Sequence, residues 1–349
     1  MSTTTYIVTG GAGFIGSNLV AEILRRRPEA HVVVVDPMLS GSFANIVEAL
    51  ARAGLRPFRG EVLPEHAGNM DWPHMLRTTR AAGVFHLGAI TDTTVTDEQR
   101  MLHANLGGFY ADLETGMLAA CHATDVPLVY ASSAATYGSP ADAADRTPFP
   151  EHAAGRPSNV YGFSKWLMEQ EHARFEREHA GTAQSITGRA TIVGLRYFNV
   201  FGPGESRKGH MASMVYQLAT RLLAGQAPRL FTDGTQARDQ VPVEDVVDCT
   251  LRASGLFGAS PIRSGVYNLG SGRATSFNQI VRCLREALEI PAGTLETEYF
   301  EMPPAVRRFY QDFTCADMRL AAEGLSWRPA RDPERAIVEY ARLLRAGRA

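Results

Sequence analysis

Tyr6-Ile7-Val8-Thr9-Gly10-Gly11-Ala12-Gly13-Phe14-Ile15-Gly16 stands near the head of the chain. Tyr6 to Thr9 reads as a short apolar strand, and the glycines that follow mark a turn into a helix. Gly10 permits the tight turn, Gly13 lets a backbone approach a pyrophosphate, and Gly16 lets the helix pack closely on the strand. The helix N-terminus, opened by Phe14 and Ile15, then faces phosphates with free N–H groups. A helical pattern continues from roughly Ser17 to Arg27. His31-Val32-Val33-Val34-Val35 is a buried strand ending in Asp36. Strand, glycine turn, helix, strand and acid together open a βαβ unit.

Further out, Val84 to His86, Pro127 to Ala131 and Ala190 to Tyr197 are continuous β-rich apolar runs. A parallel sheet covered on both faces requires such runs. Ser164 to His179 reads as a long helix with Lys165 near its start. After Asn199 the pattern changes, with Gly202, Pro203, Gly204 and Gly209 close together. Helices are predicted over roughly Met211 to Ala224, Ser276 to Leu288 and Pro333 to Leu344. No second glycine fingerprint occurs. The expected fold is α/β, a Rossmann-type doubly wound parallel sheet with a smaller C-terminal α/β substrate lobe. Residues 1–199, with roughly 239–262 returning, are assigned to the dinucleotide-binding domain. Residues 200–238 and 263–349 are assigned mainly to the substrate lobe. The tail from Arg345 to Ala349 is expected to fray.

Composition removes several classes. The chain has 349 residues, 45% hydrophobic and 21% charged, as in ordinary soluble globular proteins. A formal net charge of -2 gives no basic field to recruit nucleic acid. No run of 18 apolar residues is present, so no membrane partner is expected. The start lacks the basic region of a signal peptide. Cys121, Cys249, Cys283 and Cys315 are far apart and read as reduced thiols of a cytoplasmic protein. The histidines show no tight metal spacing, and no metal site is expected.

Asp36 stands about 20 residues past the last glycine, where an acid bonds the ribose hydroxyls of a dinucleotide. From Pro37 to Asn45 there is no Lys or Arg to offset a 2′-phosphate. NAD is therefore expected over NADP. Glu61 reads either as an adenine contact or as a solvated loop acid.

Tyr161-Gly162-Phe163-Ser164-Lys165 carries the chemistry. Hydride transfer at a carbinol carbon needs a base for the hydroxyl proton, and a tyrosinate serves if its pKa is lowered. A lysine one helical turn later places an ammonium beside the phenol. Ser133, in the Ser132-Ser133 pair, can hydrogen-bond the substrate oxygen and relay the proton.

With these motifs in this order, the chain resembles the extended short-chain dehydrogenase/reductase family, which acts on nucleotide sugars. Further stretches narrow the likeness: Tyr130 to Gly138, Asn159 to Lys165, Arg196 to Pro203, Lys208-Gly209-His210-Met211-Ala212-Ser213-Met214, and Tyr310-Gln311-Asp312-Phe313-Thr314. They are similar to those of the heptose 6-epimerases within that family. The resemblance implies that hydride leaves C6 of an ADP-linked glycero-manno-heptose, giving a transient ketone, and returns to its other face. It implies NAD(P) held tightly, one per subunit, and a homo-oligomer. It makes Tyr161 one proton acceptor and donor and Lys208 the other, although by spacing alone Lys208 reads as a solvated loop lysine. Asn105 and Lys165 join the cofactor contacts. Ser133, Asn199, Lys208, His210, Arg238 and Tyr310 become the substrate contacts, with Arg238 on the diphosphate.

The chain also departs from that pattern. Leu39, Ser42 and Phe43 occupy a stretch where the family often carries lysines that favour NADP. Leu87 replaces an expected Glu, Asp92 a small hydroxyl residue, and Phe309, beside Arg307 and Arg308, an Arg. These departures leave the nucleotide and the sugar's substituents open. A nucleotide-hexose 4-epimerase shares the Ser-Tyr-Lys chemistry but gives Lys208 no task. A 4,6-dehydratase needs an acid–base pair, and Ser133 is followed by Ala134 and Ala135. A non-catalytic nucleotide-binding scaffold is the reading from another class, disfavoured because Tyr161 and Lys165 are both kept.

Overall fold

The computed structural model describes residues 4–55, 57–110, 116–139, 145–179, 190–258, 261–303 and 310–348. Phe309, Arg307 and Arg308 lie outside them. The large lobe is built on a seven-stranded sheet of order β3-β2-β1-β4-β5-β6-β10. The strands are β1 Thr5–Thr9, β2 His31–Val35, β3 Gly60–Leu63, β4 Ala81–His86, β5 Leu128–Ser133, β6 Ile192–Tyr197 and β10 Gly265–Leu269. Every pairing is parallel.

The apolar runs follow from burial on both faces. Along β1 and β2 alternate residues point to opposite sides. Tyr6, Val8, Val32 and Val34 enter one core, with helices α1 Phe14–Arg26 and α8 Val243–Ala253. Ile7, Val33 and Val35 enter the other, with Trp72 and with Met168 and Phe175 of α6 Val160–His179. Each fully buried valine stabilises by about 1.5–3 kcal/mol. Arg25 and Arg26 in the last turn of α1 suit its negative end. Arg26 Nη2 also bonds Asp248 Oδ1 on α8 at 2.6 Å.

The smaller lobe holds a three-stranded sheet of β7 Asn199–Phe201, β9 Ala237–Pro242 and β11 Ala274–Ser276, with β9 central. A parallel pair joins β8 Arg229–Phe231 to β12 Glu298–Phe300. Helices α7 Met214–Leu223, α9 Phe277–Leu288 and Pro333–Arg345 close around a core of Val215, Leu218, Ile280, Leu284 and Ile337. Ser276 and Gln279 cap α9 reciprocally, so the helix predicted from Ser276 begins one residue later.

Three sequence expectations need correction. Gly265–Leu269, inside the stretch assigned mainly to the smaller lobe, forms the edge of the large sheet. Only three of its five residues are buried, and an edge strand shows no continuous apolar run. Ala321, Leu325 and Trp327 also pack into the large lobe's core. Helix α6 starts at Val160 rather than Ser164, so Tyr161 lies in its first turn. Gly162 masks that start in the sequence. A Cβ there would stand 2.6 Å from the Ala135 carbonyl oxygen, and Asn159 Oδ1 accepts from the Gly162 N–H at 2.8 Å. Arg345, expected in a frayed tail, closes the last helix and bonds Glu289 at 2.9 Å.

Among the described residues no helix is long and apolar enough to cross a membrane. All four cysteines are free and buried.

Candidate active site

A cavity of about 970 Å³ opens where the C-terminal ends of the large sheet's strands meet the smaller lobe. Ligands bind at that edge in open α/β sheets. Gly10, Gly13, Phe14, Ile15, Gly16 and Asp36 line one end. Gly10 has φ +68, and a Cβ on it would stand 2.7 Å from Gly88 N. A Cβ on Gly16 would stand 2.1 Å from Gly10 O, so the helix sits directly on the turn. Helix α1 begins after Gly13 with no side-chain cap. Its first N–H groups are therefore left for an anion.

Asp36 is fixed at the end of β2. Its Oδ2 accepts from Ala12 N at 3.0 Å and its Oδ1 from Met38 N at 2.9 Å. Free helix N–H groups, a side-chain-free turn and an anchored carboxylate fit a dinucleotide. Arg207, far from Asp36 in sequence, also reaches this cavity. Its guanidinium is taken up by Glu48, at 2.7 and 2.6 Å, and by Asn45 Oδ1 at 2.7 Å.

Two expected cofactor residues stand elsewhere. Glu61 is outside the cavity, its carboxylate 3.9 Å from His31 Nε2. It is the second residue of β3, and only the C-terminal end of a parallel strand faces the site; His66 and Ala67, beyond that end, line the cavity instead. Asn105 lies behind the wall, 1% exposed. Its amide clasps Ile90 N and O at 2.8 and 3.2 Å and donates to Ser164 Oγ at 2.9 Å. It positions the wall.

Ser133, Tyr161 and Lys165 meet on the cavity floor. Burial pushes the Tyr161 phenol up, and a hydrogen bond with the Ser133 hydroxyl pulls it down. Burial lowers Lys165 from 10.5 to about 7. Its Nζ lies 3.7 Å from Met168 Sδ. Its charge is felt at His86, which burial first and Lys165 second hold down to about 3.

Lys208 comes from the opposite wall, on the 3₁₀ turn Ser206–Met211. Its Nζ stands 5.7 Å from the centre of the Phe14 ring, across from the glycine turn. Burial lowers its pKa, and Glu205 partly opposes the fall. Glu205 is fully buried and staples this loop, accepting from Gly202 N at 3.0 Å, Ser213 N at 2.6 Å and Ser213 Oγ at 2.9 Å. Sequence reasoning missed Glu205, whose one signal was an acid inside a Pro-Gly stretch. His210 spans to Asp92 at 3.5 Å, linking the two walls. Hydrogen bonds from Thr94, first its hydroxyl, lower the Asp92 carboxyl.

Asn199, Arg238 and Tyr310 line the smaller-lobe side. Arg238 is not paired with Asp239, whose carboxylate accepts from Ser271, Gly272 and Ala316. Its guanidinium lies 4.9 Å from the Tyr310 ring centre and 5.9 Å from that of Phe277. Phe231 meets Tyr310 edge-on at 5.7 Å and Phe300 at 4.9 Å. This aromatic end, suited to a flat ring beside anionic groups, was not legible because its members come from four separate segments.

The description NAD dependent epimerase/dehydratase family matches residues 6–270. The ADP-L-glycero-D-manno-heptose-6-epimerase of Cupriavidus pinatubonensis is 36% identical, over 97% of this chain and 98% of its own. The crystal structure of the Helicobacter pylori ADP-L-glycero-D-manno-heptose-6-epimerase superposes with a TM-score of 0.78 at 33% identity, covering 99% of this chain and 97% of that one. The UDP-glucose 4-epimerase of Thermotoga maritima, with UDP-glucose, gives a TM-score of 0.78 at 26% identity, covering 99% of each chain. The fold, the glycine turn and these likenesses agree, and the chain belongs to the NAD dependent epimerase/dehydratase family.

Proposed function

We propose that this protein is an isomerase that inverts C6 of ADP-glycero-manno-heptose through a transient 6-ketone. A nicotinamide dinucleotide, when bound, supplies removal and return of the hydride. The observation that carries the reading is the meeting of Tyr161, Ser133 and Lys208 on one cavity. Inversion needs a proton acceptor and donor for each pose of the carbinol. Tyr161 serves one pose, its phenol held by Ser133. Lys208 serves the other, because burial moves its ammonium toward the neutral base. Lys165 holds cofactor and charge beneath the site. Arg238 takes the diphosphate, with Asn199, His210 and Tyr310 around the rest of the substrate. A nucleotide-hexose 4-epimerase would leave Lys208 without a role.

Within this reading NAD is preferred over NADP, because the anchored Asp36 repels a 2′-phosphate and Glu48 already engages Arg207. The large lobe serves the cofactor, the smaller lobe the substrate, and the enzyme acts as a homo-oligomer. Proton NMR of ADP-D-glycero-D-manno-heptose with the purified protein tests the activity. Inversion at C6 without net change in cofactor absorbance supports it. An unchanged C6 signal with cofactor bound rejects this substrate.

A further inference from the structure

Strand β9 sends alternate residues to opposite faces. Asp239 points away from the cavity, into Ser271 and Ala316. Arg238 and Gln240, on the other face, both form cavity wall. Gln240 lies in register with Asn199 of the neighbouring β7, which lines the same wall. Gln240 is 1% exposed, and its Oε1 is buried without a hydrogen-bond partner among the described residues.

A buried carbonyl left unpaired costs folding free energy, and native proteins keep few of them. This one sits two residues from Arg238, about 7 Å along the strand. We propose that Gln240 is a substrate-binding residue whose carboxamide oxygen accepts a hydrogen bond from a hydroxyl of the substrate's sugar. The donor requirement selects the hydroxyl. An ionised diphosphate offers acceptors only, and Arg238 on the same strand face serves it. Substrate entry then pairs an oxygen that the free protein leaves empty-handed. The proposal rests on the nucleotide-sugar reading above.

Gln240→Met keeps the volume and removes both polar atoms. Wild-type and variant holoenzymes are titrated by calorimetry with ADP-heptose and with ADP, which keeps the ribose and diphosphate but lacks the sugar. ADP-heptose should bind roughly tenfold more weakly to the variant. ADP should bind equally to both, and the variant without substrate should melt no lower than wild type, because the unpaired carbonyl is gone. Equal weakening for both ligands, or none for ADP-heptose, overturns the assignment. A lower melting temperature with unchanged affinities marks a structural glutamine and also overturns it. If wild type binds ADP but not ADP-heptose, the functional reading falls alone, and UDP-glucose against UDP decides Gln240 in the same way. A wild-type protein that binds neither nucleotide sugar overturns both.

Discussion

Glu169 on α6 and Arg196 on β6 form a two-point ion pair inside the protein, 2.7 Å from Nη2 to Oε2 and 2.8 Å from Nε to Oε1. Their side chains are 3% and 5% exposed. Ser132 Oγ donates to the same carboxylate at 2.5 Å, and Arg196 reaches Tyr137 Oη at 3.0 Å. The pair ties α6, which carries Tyr161, to β6, and the Ser132 bond ties it to the end of β5 that carries Ser133.

Glu169→Gln removes one charge and leaves the other buried. Breaking a buried pair this way costs about 3–5 kcal/mol. The urea midpoint should fall accordingly. Replacing both residues by apolar ones should recover part of the loss, since no lone charge remains. A single variant with an unchanged midpoint would show that the guanidinium finds other partners.

Tyr161→Phe removes only the phenolic oxygen. Turnover should drop by roughly 10²–10⁴, the usual worth of a positioned acid–base group. Cofactor retained after gel filtration should match wild type. Near-normal turnover would move the base elsewhere.

Lys165 titrates near 7 in the folded protein and at 10.5 when unfolded. The unfolded chain therefore binds more protons between those values, so stability rises with pH across that window. Below about 7 the full cost of burying the ammonium is present; above 10.5 it is gone. Protein stripped of nucleotide should be less stable than its Lys165→Met variant at pH 6. The gap should shrink steadily toward pH 10. A gap independent of pH would contradict a depressed lysine.

In the proposed function the Asp36 carboxylate repels a 2′-phosphate. Calorimetric titration should give NAD at least about tenfold tighter binding than NADP. Asp36→Ala should narrow that ratio, mostly by improving NADP. Equal affinities in wild type would mean that Arg207 is freed from Glu48 when the cofactor arrives.

Local chemistry explains which features were legible. The glycine turn and the Tyr161–Lys165 spacing act within one or two turns of chain, and Asp36 closes the same βαβ unit; the structure places them on one cavity. The apolar strands were readable because burial on two faces leaves no polar positions. Asn105 and Glu61 lie off the cavity, because which side of a strand or helix faces it is set by the fold and not by local sequence. Glu205, Phe231 and Phe300 were invisible because their neighbours come from remote segments. Arg207, 171 residues beyond Asp36 in sequence, reaches the same cavity only through the fold.

The edge strand β10 follows most of the polypeptide that builds the sheets around β9. Until Leu269 leaves the ribosome, β6 has no neighbour on that side. An open, wholly buried-type strand such as Ile192–Tyr197 is a template for pairing with another chain. The nascent protein is therefore most prone to aggregate late in translation, with six strands in place and the seventh still unmade. A gene fragment meant to yield the large lobe alone should run at least through Leu269, because one ending at Tyr197 would present that edge permanently.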